Sequence, residues 1–192
     1  MKVILTNDGY NSLYLEELDE HYHSIHGAFN ESMHVFIENG LKYFQDKKTS
    51  VSILEMGFGT GLNAILTFLE SNIDVNYVSI EKNPLQLSIL SQLNYKNKIK
   101  GADLVFDKIH DLTWGNQHKL SDRFLFKKIE MDLLKFKTSQ KFDVIYYDAF
   151  APRVQSELWT VEIFSKCYDL LNYDGCLVTY CAKGQVKRNL KS

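Results

Sequence analysis

The chain has 192 residues, 45% hydrophobic and 24% charged, with a net charge of −2. That length and balance suit one globular unit with an ample core and exclude a globally basic nucleic-acid binder, though not a local basic patch. No apolar run approaches the ~20 residues that cross a bilayer, and the N-terminus lacks the basic-then-apolar layout of a secretory signal. Cys167, Cys176 and Cys181 are odd in number and lack a zinc-ligand spacing. A cytoplasmic protein is predicted, with no membrane contact, no disulfide and no metal.

In chain order, residues 3–6 and 12–15 flank the turn signal Asn7-Asp8-Gly9 and predict a hairpin. Residues 20–28 carry His21, His23 and His26, but no cysteine or further acid stands where it would complete a metal site. With Tyr22 they read as the polar and aromatic lining of a ligand pocket. Met33, Phe36, Ile37 and Leu41 recur at helical spacing over residues 30–41, and Asn39-Gly40 begins to break the pattern. Residues 1–50 thus read as a hairpin-and-helix extension packed on a core spanning 51–192.

That core opens on the most informative stretch. Residues 51–54 are an apolar run fit for a buried strand; Glu55 ends it, and Gly57, Gly59 and Gly61 follow. Leu62, Ala64, Ile65, Leu66, Phe68 and Leu69 then repeat at helical spacing. Strand, glycine turn and helix together present bare backbone and unpaired N–H groups to a ligand. A dinucleotide fingerprint wants a glycine where Leu62 stands, so the fit to NAD is poor. A carboxylate at the strand end repels a diphosphate and favours a ligand with a cationic, amine-bearing end, such as S-adenosylmethionine.

Residues 75–80 form the next strand, ending at Glu81, ~20 residues past the last glycine, where a carboxylate accepts from a ribose diol. Asn83-Pro84 starts an expected helix carrying Leu85, Leu87, Ile89, Leu90 and Leu93. Residues 101–121 read only as an irregular connection with a small helix. Residues 124–131 are a strand, the second half of a hairpin in one reading, and Asp132 follows it, placed to accept from an adenine amine. Residues 142–147 are nearly all apolar, hence a central strand, and deliver Asp148-Ala-Phe-Ala-Pro152 to the same edge. Pro152 stiffens that loop. A helix is expected from Gln155 through Leu171, a turn at 172–175, a strand over 176–181 and a basic terminal helix with Lys183, Lys187, Arg188 and Lys191, whose charges suit a phosphate polymer.

Residues 55–63 (Glu-Met-Gly-Phe-Gly-Thr-Gly-Leu-Asn), Asp148-Ala-Phe-Ala-Pro152 and Leu158-Trp159-Thr160 together resemble the bacterial tRNA 5-methylaminomethyl-2-thiouridine methyltransferase family. Asp8-Gly9, Glu20, Tyr22-His23-Ser24, Gly27-Ala28 and residues 34–37 extend the resemblance over nearly the whole chain. It implies an α/β, Rossmann-like class I fold with a mostly parallel sheet and helices on both faces. It implies S-adenosylmethionine as donor, without flavin, and the aminomethyl group of a wobble uridine in tRNA as acceptor, on substrate made by separate enzymes. It assigns Glu55, Gly57, Phe58, Gly59, Gly61, Asn63, Glu81, Lys82, Asp132 and Asp148 to the cofactor. Tyr22, His23, Pro152 and Lys183 fall to the substrate, and Asp148 and Phe150 to catalysis. Arg153-Val-Gln-Ser departs from the family after the proline. A further helix and antiparallel strand pair usual for the fold are not expected, so the core reads as truncated at its C-terminal end. A polyamine-synthase-like aminopropyl transferase and a noncatalytic S-adenosylmethionine-binding protein are the alternatives.

Overall fold

The structure, a computed structural model, describes residues 1–191; Ser192, which ends the expected core region, lies outside them. The hairpin forms: β1 (Lys2–Leu5) pairs antiparallel with β2 (Asn11–Leu15), which also pairs with the short β3 (Glu20–His21). The following helix is longer than its periodicity indicates. It runs over residues 28–45 as α1 (Ala28–Ser32), a π-helical stretch (Met33–Leu41) and α2 (Lys42–Gln45), straight through Asn39-Gly40. Gly40 is a packing residue and not a breaker. A Cβ there would lie 2.7 Å from Tyr146 Cε1, so bare backbone lets the helix sit on the sheet.

The main sheet holds β4 (Ser50–Met56), β5 (Asp74–Glu81), β6 (Gln117–Ser121), β7 (Phe124–Glu130), β8 (Phe142–Tyr147) and β9 (Leu171–Val178) in the order β6-β7-β5-β4-β8-β9. All neighbours are parallel except β6 and β7, which form a hairpin. The helices between strands are α3 (Leu62–Glu70), α4 (Leu87–Leu90), α5 (Tyr95–Lys98), α6 (Phe106–Asp111) and α7 (Val161–Leu170), and α8 (Gly184–Asn189) follows β9. The mostly parallel, helix-covered architecture is the one expected.

Local boundaries differ from the sequence reading. The helix expected to follow Pro84 shrinks to α4, where Leu87 is exposed. The illegible stretch resolves into α6 and β6. Residues Ser156–Trp159 form a 3-10 turn, and α7 begins only after Thr160, whose Oγ1 accepts from Ile163 N at 3.4 Å. The expected turn at 172–175 lies inside β9, where Asp174 takes φ 62° and the register with β8 shifts.

Strand alternation divides the core. Val51, Ile53, Val75, Tyr77, Val144 and Tyr146 face the hairpin, the 28–45 helix and α3. Leu54, Met56, Val78, Ile80, Ile145 and Tyr147 face Trp159, Phe164 and α7. Continuing the first set by two residues places Glu55, Ser79 and Asp148 on the α3 face, at the carboxyl edge of the sheet.

Candidate active site

The parallel ladder delivers the site. Gly57 N donates to Ile80 O at 3.0 Å and Asp148 N to Met56 O at 3.0 Å, so the residues after β4, β5 and β8 emerge side by side. Gly57 has φ 100°, and a Cβ on it would meet the Asp148 carbonyl at 2.6 Å. Only glycine lets the turn pass this close to the β8 loop.

A first cleft lies over this edge. Its floor is Met56, Gly57, Gly59 and Ile80, its far wall Met131, Asp132 and Leu133, and its near wall Asp148, Phe150 and Tyr22. Glu81 lies between them. Its carboxylate accepts from Gly59 N at 3.1 Å and Asn83 N at 2.8 Å, leaving lone pairs for a ligand. Burial raises the Glu81 pKa, against backbone hydrogen bonds that lower it. Lys82 Nζ pairs with Asp132 Oδ2 at 2.8 Å, and that bond, with the Leu134 N–H, holds the Asp132 carboxyl below its usual range.

A second cavity opens on the other side of Asp148. Glu20, His21, Tyr22, His23, Glu31 and Tyr180 line it with Asp148 and Phe150. The two cavities therefore share Tyr22, Asp148, Ala149 and Phe150. Burial pushes the Asp148 pKa up to about 7, opposed by Asn63, whose Nδ2 donates to Oδ2 at 2.8 Å, and reinforced by the charge of Glu31. Burial likewise raises Glu31, which accepts from Ser24 N at 3.1 Å.

The loop carrying Asp148 is held at several points. Phe150 N donates to Gln155 Oε1 at 2.9 Å, Trp159 Nε1 to Phe150 O at 2.8 Å and Tyr180 Oη to Ala149 O at 2.9 Å. Arg153 reaches back to the Leu18 and Asp19 carbonyls and pairs with Glu20 Oε2 at 3.3 Å, tying the loop to the hairpin. The departure noted after the proline thus serves an internal contact.

Of the residues singled out from sequence, Tyr22, Gly57, Gly59, Glu81, Lys82, Asp132, Asp148 and Phe150 meet at the first cleft. Others do not. Glu55 is 0% exposed, because its side chain points down the α3 face, beneath the turn rather than into the cleft. Asn63 lies under Asp148, and Gly61 caps α3 behind the turn. Phe58 packs away from the cleft, against His110, Trp114 and Phe126. His23 lines the second cavity, but its Nδ1 bonds Ser12 Oγ at 2.9 Å and its Nε2 faces Thr60 Oγ1 at 3.4 Å, so it clamps the hairpin to the turn. Burial lowers its pKa to about 4 and keeps it neutral. Pro152 and the exposed Lys183 line neither cavity. Glu31 and Tyr180 were missed: Glu31 reads as one more polar position on an amphipathic helix, and Tyr180 as a strand residue.

Comparison with known proteins agrees with this geometry. A family model described as S-adenosyl-L-methionine-dependent methyltransferase matches residues 93–192, just over half of the chain. The tRNA 5-methylaminomethyl-2-thiouridine biosynthesis bifunctional protein MnmC of Cupriavidus metallidurans is 29% identical over 97% of this chain and 30% of its own length. The protein of that name from Campylobacter hominis is 28% identical over 94% of this chain and 28% of its own length. The chain thus spans less than a third of these curated relatives. The crystal structure of MNMC2 from Aquifex aeolicus superposes with a TM-score of 0.80 at 23% identity, over 99% of this chain and 63% of that one, and shows the shared fold. With the family match covering half its length, the chain belongs to the S-adenosyl-L-methionine-dependent methyltransferases.

Proposed function

We propose that this chain methylates the aminomethyl group of a modified wobble uridine in tRNA, converting 5-aminomethyl-2-thiouridine to 5-methylaminomethyl-2-thiouridine. The observation that carries this reading is the meeting of two cavities at Asp148, one built for a cationic nucleoside, the other lined by carboxylates. The names borne by the relatives supply the substrate class.

The residues of the first cleft fit S-adenosylmethionine, which supplies a methyl group activated on a sulfonium. Gly57 and Gly59 offer bare backbone to its methionine part, the free lone pairs of Glu81 suit a ribose diol, and Ile80, Met131 and Leu133 suit an apolar ring. Asp132 is the proposed acceptor for the adenine amine, with Lys82 holding it. Glu81 and Asp132 would repel phosphate and favour a cationic donor.

On the other side, Glu20, Glu31 and Asp148 attract an ammonium. Methyl transfer needs that amine unprotonated and in line, so most of the catalytic task is positioning. Ionised Asp148 accepts a hydrogen bond from the amine, orients its lone pair and takes a proton. Tyr22 and Phe150 wall the reacting centre from solvent, and the Phe150 ring face supports the developing cation. Lys183, with Lys187 on α8, is the proposed contact to tRNA phosphates. This role places the protein in the cytoplasm, dependent on separate enzymes that make the aminomethyl uridine.

The test is transfer of labelled methyl from S-adenosylmethionine to tRNA from cells lacking the modification, followed by nucleoside digestion. Label on the side-chain amine of a wobble uridine is expected. Measurable donor binding with no label on that nucleoside would overturn the substrate assignment.

A further inference from the structure

Glu55 lies next to the last residue of β4, at the carboxyl edge, yet has no access to either cavity. In register it lies between Ser79 on β5 and Tyr146 on β8. Ser79 Oγ donates to Glu55 Oε2 at 2.6 Å. Glu55 Oε1, Asn63 Oδ1 and Tyr77 Oη are buried and have no hydrogen-bond partner. The titratable and polar groups that face Glu55 are Tyr77 and Ser79 from β5, Tyr146 from β8, Asn63 from α3 and Asp148 from the loop after β8. Among the described residues, none of the groups acting on it is a cation.

An ionised Glu55 would be a buried charge with only the Ser79 and Tyr77 hydroxyls and the Asn63 amide to solvate it, beside a second carboxylate and with no cation acting on it, and the buried Asn63 Oδ1 would be left an acceptor without a donor. A proton on Oε1 supplies the donor that Asn63 Oδ1 lacks, and the same oxygen stays free to accept from the Tyr77 hydroxyl beside it. We propose that Glu55 is a neutral carboxylic acid whose Oε1 donates to Asn63 Oδ1, fixing the Asn63 amide with its NH2 toward Asp148. The Asn63 side chain then cannot turn its oxygen on Asp148, because its own oxygen is engaged. Glu55 is a positioning residue, acting through Asn63, with no contact to donor or acceptor. Burial raises its pKa well above the ordinary carboxylate value, in keeping with that state. Its consequence for catalysis rests on the amine-facing role of Asp148 given above; the placement of the proton does not.

The experiment is carboxyl carbon NMR on the full chain, titrated from about pH 5 to about pH 9, on the wild type, Glu55→Gln and Asn63→Leu. In the wild type the Glu55 signal should stay at its protonated position through the whole range in which Asp148 titrates, at about 7. Glu55→Gln keeps an N–H donor and changes no charge, so the Asp148 midpoint should stay within about 0.3 unit. Were Glu55 ionised, the same change would remove a neighbouring negative charge and drop that midpoint by about 1 unit or more, which would overturn the proposal. Asn63→Leu deletes the donor and should raise the midpoint by about 1 unit. S-adenosylmethionine affinity of Glu55→Gln should stay within about twofold; a tenfold loss would mark Glu55 as a charged donor ligand. If the variants do not fold, the wild-type Glu55 signal decides alone, and a Glu55 that loses its proton before Asp148 does refutes the neutral state. Full-rate transfer by Asp148→Asn would sink the amine-facing role and leave the Glu55 measurement valid.

Discussion

Tyr22 and Phe150 meet edge to face, ring centroids 5.0 Å apart at 85°, and this pair is the wall common to both cavities. One ring comes from the hairpin extension and the other from the loop after β8, so the reacting centre closes only when the extension docks. Tyr22→Ala removes a ring pair worth about 0.5–1.5 kcal/mol and admits water to Asp148. The expected result is a KM for acceptor raised roughly tenfold, with the acid limb of the rate profile moved toward lower pH as Asp148 regains solvation. Steady-state kinetics across pH will show both; an unmoved acid limb would mean that the pair does not shield Asp148.

Asp148 titrates at about 7 against an ordinary value of 3.8, and the shift links activity to stability. In the role proposed for it the working form is the carboxylate, so methyl transfer should rise through pH 7 and level off above. The folded chain holds a proton that the unfolded chain has lost between pH 3.8 and about 7, so stability falls as pH rises across that window and is flat beyond it. Three units would amount to about 4 kcal/mol, and with the side chain partly open to the cleft roughly half of that is expected. Asp148→Asn should therefore melt higher than wild type at pH 8 and alongside it at pH 4. Its S-adenosylmethionine affinity should be kept while transfer falls by about 100-fold or more. Calorimetry and single-turnover assays check the two halves.

Gly57 and Gly115 separate backbone strain from collision. Both have positive φ, 100° and 82°, but a Cβ at Gly57 strikes the Asp148 carbonyl at 2.6 Å, whereas at Gly115 nothing lies within 4 Å. Gly115→Ala should cost about 1 kcal/mol, and Gly57→Ala about 3 kcal/mol or more because the Asp148 loop must also move. Urea unfolding of the two variants tests the order, and only Gly57→Ala should lose donor binding.

The strand-turn-helix, the mostly parallel sheet and the strand-end residues Glu81, Asp132 and Asp148 were legible because each is set locally: glycines need their φ, and buried strands need apolar runs. What escaped was set by tertiary packing. Gly40 looked like a helix breaker because its contact, Tyr146, lies more than a hundred residues away. Glu55 looked like a ligand for a cation because sequence shows its place at a strand end and not the face to which its side chain turns. Lys128 gave no signal at all. It is 1% exposed, donates to the Ile109 and His110 carbonyls at 3.0 and 2.6 Å, and burial lowers its pKa to about 8.

Asp143 offers a test of what holds the opposite end of the sheet. It is 7% exposed at the start of β8, and burial alone would raise its pKa. Lys48 Nζ at 2.5 Å, Ser52 N at 2.8 Å, Asn172 Nδ2 at 2.9 Å and Ser52 Oγ at 3.0 Å more than offset that and hold it below the usual carboxylate value. The contribution is present above the unfolded value near 3.8 and is lost as pH falls through the lower folded one. Asp143→Asn should cost about 2 kcal/mol at pH 7, since Lys48 keeps partial solvent access and loses only part of its pairing. That gap should narrow below pH 4, where wild-type Asp143 is itself becoming neutral. Donor affinity should not change, because these four contacts join β4, β8, β9 and the segment after the 28–45 helix at the edge remote from the cleft. Urea unfolding at pH 7 and again in acid measures the gap; an equal cost at both would show that Asp143 acts by shape and not by charge.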